Sequence, residues 1–258
     1  MAPCPVAQRL EDGSSLPERR NLGKIERLCV EVIVRLLVAA LLLCTSSALA
    51  APIHRDRSGT LLIGDSMMRV GVGPILRRAL EEQFGPPVDL KAKAATGLVR
   101  PDFYDWPKAV REFLEIRSYR SIIMMIGAND CQGITENGKV HKFATSTWKD
   151  IYSNRLLSMA DQLCSSGRKV YWLTLPPMRP AGFNRRIKQL NALIKKTLSL
   201  RPCVKVLNLE DALSEDGKFT SYVGKGKRRV RIREADGIHL TGKAGEIVSR
   251  VVIDAMTR

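Results

Sequence analysis

The stretch Leu61-Leu-Ile-Gly-Asp-Ser66 governs the reading of the whole chain. Three large apolar residues run into a Gly-Asp-Ser turn, and a helical pattern from Pro74 to Phe84 follows, closed by Gly85-Pro86-Pro87. An apolar run without polar alternation fits a strand buried on both faces, as in a parallel sheet covered by helices. Four more segments read the same way, at Val88–Ala94, Ser121–Ile126, Lys169–Leu175 and Val204–Leu209. Helical patterns alternate with them. Lys108 to Arg117 carries Val110, Phe113 and Leu114; Thr147 to Ser165 carries Ile151, Leu156, Met159 and Leu163. Asn184 to Leu200 carries Ile187, Leu190, Ile194 and Leu198, and a final helix follows Thr241, a suitable N-cap. Such alternation predicts a parallel sheet with helices on both faces. Phe219–Val223 and Arg229–Arg233, flanking Gly224-Lys225-Gly226, depart from it and read as a hairpin. The expected architecture is a three-layer α/β/α domain over residues 60–258, with a five-stranded parallel sheet and a late β-hairpin insertion.

Upstream of that domain the chain reads as an address. Arg19, Arg20, Lys24 and Arg27 precede the short apolar core Leu36 to Leu43, and Ala48-Leu49-Ala50 stands before Ala51-Pro52. Basic flank, short apolar core and an A-x-A site are the three parts of a secretory signal peptide, with a signal anchor as the alternative. Residues 1–50 are expected to be removed, residues 51–59 to form a tether, and the mature protein to be periplasmic or secreted. Removal takes away six basic and five acidic residues, so the net charge falls only from +16 to +15. It leaves Cys131, Cys164 and Cys203 of the six cysteines. One disulfide with a free thiol and three buried thiols are both compatible with the sequence.

The 258 residues are 45% hydrophobic, which excludes a disordered or collagen-like chain. Six cysteines are too few for a disulfide scaffold, and three histidines (His54, His141 and His239) exclude a multi-histidine metal site. The excess of 42 basic over 26 acidic residues points to an acidic partner. Its densest run is Lys225-Gly-Lys-Arg-Arg-Val-Arg-Ile-Arg233, where Val230 and Ile232 are expected to face inward. Export and the absence of a DNA-binding motif argue against nucleic acid. An acidic envelope polymer or anionic lipid surface, met through Lys225, Lys227, Arg228, Arg229, Arg231 and Arg233, is the expected partner.

In a sheet of this kind ligands bind at the carboxyl ends of the strands. After the first three strands stand Gly64-Asp65-Ser66, Ala95-Thr96-Gly97 and Gly127-Ala128-Asn129-Asp130, and Asp236-Gly237-Ile238-His239 leads into the last helix. Each piece alone is weak; their joint order is hard to obtain by accident. With these four blocks across residues 61–242, the chain resembles the SGNH (GDSL-type) hydrolase superfamily. Arg100-Pro-Asp-Phe-Tyr-Asp-Trp-Pro107 and Asp236-Gly-Ile-His-Leu-Thr241 resemble a bacterial exported subfamily of it. The resemblance implies a flavodoxin-like fold and acyl-ester chemistry without a metal or organic cofactor: esterases, lipases, thioesterases and some acetyl transferases.

The chemistry of these positions agrees. Ser66, near the first helix N-terminus, is the expected nucleophile; G-x-S-x-G is absent, so this is no α/β-hydrolase elbow. His239 is the expected base and acid, and Asp236 its orienting carboxylate. The Ser66 and Gly97 backbone N–H groups and the Asn129 side chain are the expected oxyanion donors. His54 falls in the tether and His141 in a polar loop, which leaves His239 as the base. Asp65 and Asp130 read as structural hydrogen-bonders and Cys131 as a small packed side chain. Gly71-Val-Gly73 lacks the third glycine of a dinucleotide fingerprint and reads as the start of a helix. Trp148 and Tyr152, one helical turn apart, read as core. Tyr104 and Trp106 are expected ligand contacts, and Arg100 and Arg179 are expected to meet an anionic substrate group.

Overall fold

The computed structural model describes residues 58–258; the expected leader, its cleavage site and most of the tether, including His54, lie outside the described residues. Five strands form one sheet: β1 (Gly59–Gly64), β2 (Val88–Ala92), β3 (Tyr119–Met125), β6 (Lys169–Leu173) and β7 (Val204–Leu207). Their order is β2-β1-β3-β6-β7, and every neighbouring pair is parallel. All six residues of β1 are buried, which explains its unbroken apolar run. The order reverses direction between β1 and β3, so the two carboxyl ends splay at that point and leave a crevice. Register pairs Gly64 with Met125, and Asp65 N–H continues the ladder to the Met125 carbonyl at 3.2 Å. That register brings the turn after β1 level with the turn after β3.

Among the described residues four helices cross between the strands, α1 (Gly73–Phe84), α2 (Trp106–Ile116), α3 (Ser146–Cys164) and α4 (Ala181–Leu198), and a fifth, α5 (Gly242–Thr257), follows the last strand. Helix α1 packs with α5, and α3 with α4. Helices α2, α3 and α4 start one to three residues before the hydrophobic periodicity does, and side-chain caps set the start of α2 and α3. Asp105 accepts from Lys108 N–H at 2.9 Å, Thr145 from Trp148 N–H at 3.4 Å, and Pro180 precedes α4. Thr241 caps α5 as expected, through Ala244 N–H. Among the described residues, no helix is long and apolar enough to cross a membrane.

Two hairpins sit outside the sheet. The first, β4 (Ile134–Glu136) with β5 (Lys139–His141), was not expected, and it places His141 on a strand rather than in a loop. Asn137 and Gly138 form its two-residue turn with φ of 50° and 72°, the positive pair that an Asn-Gly turn of a hairpin requires. The second, expected hairpin is shorter than its sequence suggested, with only Tyr222–Val223 (β8) and Val230–Arg231 (β9) paired. Beyond Arg231 the chain changes partner. Ile232 N–H still bonds the Ser221 carbonyl, but Arg233 bridges Leu240 and Thr241 N–H bonds the Ile232 carbonyl. Residues 234–239 are thereby closed into a loop at the base of α5.

Cys164, at the end of α3, is bonded to Cys203, just before β7, with a Cα separation of 6.0 Å. Cys131 is free and buried. The bridge closes 39 residues, a loop whose tethering is worth about 4 kcal/mol in the chain-entropy account. Replacing Cys164 and Cys203 together by Ser is expected to lower the unfolding free energy by about 2–4 kcal/mol, read by urea denaturation. A loss below about 1 kcal/mol would show that packing alone holds α3 to β7.

Candidate active site

Gly64 ends β1 against the Met125 carbonyl, where any Cβ would lie 2.1 Å from the oxygen. This contact turns the chain sharply, and Ser66 emerges half-buried at the carboxyl edge. The turn is held from beneath by Asp65, which is fully buried; its Oδ1 accepts Met67 N–H at 2.8 Å and its Oδ2 accepts Gly127 N–H at 3.3 Å. Ser66 and Met67 open a wide helical turn that breaks at Val70 and Gly71, and the regular helix begins only at Gly73. Ser66 therefore stands near the first helix N-terminus, as expected, with one wide turn between it and the regular helix. The break has a steric cause: Gly71, at φ 78°, lies against the Leu240 carbonyl, 2.0 Å from where its Cβ would be.

That contact delivers the 234–239 loop to Ser66. His239 Nε2 lies 3.0 Å from Ser66 Oγ, and His239 Nδ1 lies 2.6 Å from Asp236 Oδ2. A carboxylate only accepts, so Nδ1–H donates to Asp236 and Nε2 is free to accept the Ser66 O–H. Asp236 Oδ1 also accepts Ile238 N–H at 2.8 Å and His239 N–H at 3.0 Å. Partial burial pushes the Asp236 carboxyl up, but the His239 hydrogen bond and these two N–H groups outweigh it and hold it at about 2. The expected nucleophile, base and orienting carboxylate thus form one hydrogen-bonded chain.

The Gly97 and Asn129 loops are tied together by a second buried carboxylate. Asp130 Oδ1 accepts Val99 N–H at 3.0 Å, and Asp130 Oδ2 accepts the Tyr152 hydroxyl at 2.8 Å. Its Oδ1 occupies the place of a Gly97 side chain, 1.9 Å from where a Cβ would be, so only glycine fits. Asn129 Nδ2 donates one N–H to the Thr96 carbonyl at 2.9 Å and keeps its second. Asp65 and Asp130 are therefore the structural hydrogen-bonders the sequence suggested. Burial raises both carboxyls, Asp65 to about 7. Burial also pushes the Cys131 thiol up to about 12, as suits a packed side chain. Trp148 stacks on Tyr152 at 4.8 Å in the core.

The expected substrate contacts fare differently. Trp106 is 1% exposed and packs edge-on to Tyr104 at 4.9 Å, so it contributes a small part of the wall of a cavity that both line. Tyr104 is half-buried and lines that cavity beside Gly97. Arg100 is exposed, and its guanidinium meets both Asp102 oxygens at 2.8–3.0 Å in a solvent-exposed ion pair. Arg179 is spent on the catalytic loop: its Nη1 donates to the Ala235 carbonyl at 2.8 Å and its backbone N–H to the Gly237 carbonyl at 3.1 Å. These two contacts flank Asp236, and Arg179 is a positioning residue for it.

Arg233 overturns another expectation. It is 1% exposed, donates through Nη2 to the Pro177 carbonyl at 2.8 Å, and lies 5.8 Å from the Phe219 ring, whose centre is also 5.3 Å from the Arg179 guanidinium. Burial pushes it down to about 10, opposed by the Asp236 charge. It belongs beneath the catalytic loop, and the basic surface is built without it. Phe219 and Arg233 were not legible as site supports; the nearest signal was the position of Arg233 three residues before Asp236.

A family described as Protein of unknown function (DUF459) matches residues 60–255. The chain belongs to this family. No curated protein matches the DUF459 chain in sequence. Its fold is that of solved GDSL and SGNH hydrolases. A GDSL-like lipase from Bacteroides thetaiotaomicron is 17% identical with a TM-score of 0.54, covering 83% of this chain and 94% of its own. A catalytic mutant of an acetylxylan esterase from Geobacillus stearothermophilus is 15% identical with a TM-score of 0.55, covering 76% and 93%. A psychrotrophic esterase from Pseudoalteromonas is 12% identical with a TM-score of 0.52, covering 78% and 97%.

Two outcomes are expected from this geometry. Arg179→Ala should speed amide exchange at residues 234–239 at least tenfold while leaving β1 and β3 unchanged; unaltered exchange would show that the guanidinium is no brace. Asp65 has its folded value, about 7, above its ordinary 3.8. The stability it contributes is therefore full below about pH 4 and lost as pH rises through 7. Asp65→Asn should flatten the decline in Tm across that window, and an unchanged slope would show that another group causes it.

Proposed function

We propose that this DUF459 protein is an exported serine esterase that removes a small acyl group, acetyl first among them, from a cell-envelope or extracellular carbohydrate. The observation that carries the proposal is the hydrogen-bonded chain from Ser66 Oγ through His239 to Asp236, at 3.0 and 2.6 Å. Ser66 attacks the ester carbonyl as His239 Nε2 takes its proton, and the proton then passes to the leaving alcohol. Asp236, ionised down to about pH 2, stabilises the imidazolium. Water repeats the cycle on the acyl-enzyme. The Ser66 and Gly97 backbone N–H groups and the second Asn129 N–H are the donors for the tetrahedral oxyanion. The acetylxylan esterase among the fold relatives supports the carbohydrate ester, and the leader pattern supports export.

The basic hairpin supports a role in holding the enzyme near an acidic polymer. Lys225, Lys227, Arg228 and Arg229 are all exposed. Arg231 lies 3.5 Å from Glu234, which partly neutralises it. With Arg233 buried, five exposed cations remain, and Lys225, Lys227, Arg228 and Arg229 are the four that pair with no acidic side chain among the described residues.

Residues 51–258 and the Ser66→Ala variant are to be compared on 4-nitrophenyl acetate. Serine-dependent turnover and acylation of Ser66 are expected, and Asn129→Ala should slow turnover by about 10²–10³. Absence of serine-dependent turnover or labelling with any short acyl chain overturns the esterase. Binding to alginate should survive Ser66→Ala and fall when the four hairpin cations become Gln; binding indifferent to them removes the hairpin from the proposal.

A further inference from the structure

A cavity of about 370 Å³ lies against Gly97 on the side of α3. Leu98, Pro101, Tyr104, Pro107 and Ile151 give it apolar walls. Its charged members cancel: Arg155 Nη2 donates to Glu136 Oε2 at 2.5 Å, and its Nη1 to the Leu98 carbonyl at 2.8 Å. Asn154 and Ser158 stand at the exposed rim. The volume is on the order of ten times the share of one water in the liquid, so the methyl of an acetyl group would leave it nearly empty. It is in the size range of pockets that hold small molecules.

Position selects what enters. A tetrahedral carbon on Ser66 carries an oxyanion, a leaving oxygen and an acyl substituent. The leaving oxygen must lie within hydrogen-bond reach of His239 to take its proton. Gly97, a proposed oxyanion donor, lines the cavity, whereas Ser66, Asn129 and the 234–239 loop do not, so only a substituent long enough to extend past Gly97 from Ser66 reaches it. The leaving alcohol therefore lies elsewhere. We propose that this cavity receives the acyl substituent, and that the acyl group is an uncharged, apolar chain of several carbons. The inference rests on the serine-esterase reading alone and replaces its acetyl preference with a preference for a longer chain.

The test compares kcat/KM for 4-nitrophenyl acetate, butanoate and octanoate. The octanoate-to-acetate ratio is expected to be at least ten in the unaltered protein. Ile151→Trp fills the cavity from its wall and Ser158→Trp from its exposed rim, a position where a large side chain does not burden folding. Each should lower the ratio at least tenfold. A ratio of one or below, or a ratio that neither variant changes at unaltered Tm, overturns the assignment. Cleavage of acetate alone would leave the esterase standing and remove the chain pocket. If no ester is cleaved the esterase falls, and the cavity is judged by binding. Trp106 in its wall should report saturable binding of octanamide to Ser66→Ala, lost when Ile151→Trp is added. Failure of both readouts rejects both.

Discussion

The carboxylate of Asp130 stands where a side chain on residue 97 would be, and the geometry of the crevice depends on that contact. A buried carboxylate is costly unless its oxygens are bonded. Here Val99 N–H and the Tyr152 hydroxyl bond them, so one group joins the loop after β2, the turn after β3 and helix α3. Asp65 does the same between the turn after β1 and Gly127. Burial raises both carboxyls, and both serve as ties beneath the loops that carry Ser66 and Gly97. Asp236, bonded by an imidazole and two N–H groups, goes the other way and remains ionised. Three aspartates within one crevice are thus separated by environment into two ties and one partner for histidine.

The fourth loop comes from a different part of the fold and has its own means of attachment. Residues 234–239 are closed at the base by the Arg233–Leu240 bridge and by Glu234 N–H to the His239 carbonyl at 2.8 Å. Arg179 braces the loop from the β6–α4 connection, and Phe219 lies against both arginines. The glycines at the two contact points follow from this closeness. Gly71 admits the Leu240 carbonyl, and Gly237, at φ 71°, admits the Arg179 side chain, whose Cβ would lie 2.4 Å from a Cβ there. A side chain at either position would push His239 away from Ser66 before it touched either residue directly.

The layers, the five strands and the triad candidates were legible because they depend on period, turn chemistry and order along the chain. The unbroken apolar run at Leu61–Ile63 can only be a strand buried on both faces. Ser66, Asn129 and His239 each follow an element whose end was already visible. What stayed hidden depends on pairing in space. Trp106 follows the Gly97 loop, but its distance from solvent is decided by α2 packing on the core. Arg100 meets Asp102 through a local turn, and Arg233 reverses direction after Arg231 because Leu240 offers it a partner. The Cys164–Cys203 bridge joins elements 39 residues apart, and no spacing announces it. Asn137-Gly138 is the exception, a legible turn signal that the strand–helix alternation overshadowed.

The exposure of the triad bears on the choice between hydrolysis and transfer. The His239 and Asp236 side chains are 33% and 44% exposed, so the imidazole that would activate an acceptor faces solvent. Transfer to a sugar requires water to be excluded while the acyl-enzyme waits, by a closed site or a bound acceptor. An acyl group held in the cavity beside Gly97 would shield one side of Ser66, while the His239 side stays open. On the proposed mechanism water would reach the base along the path by which the alcohol leaves, and the acyl-enzyme would be discharged without a second substrate. The open side of the triad therefore favours a hydrolase, and the buried Arg233 and braced Arg179 serve it by keeping His239 in place while it faces water.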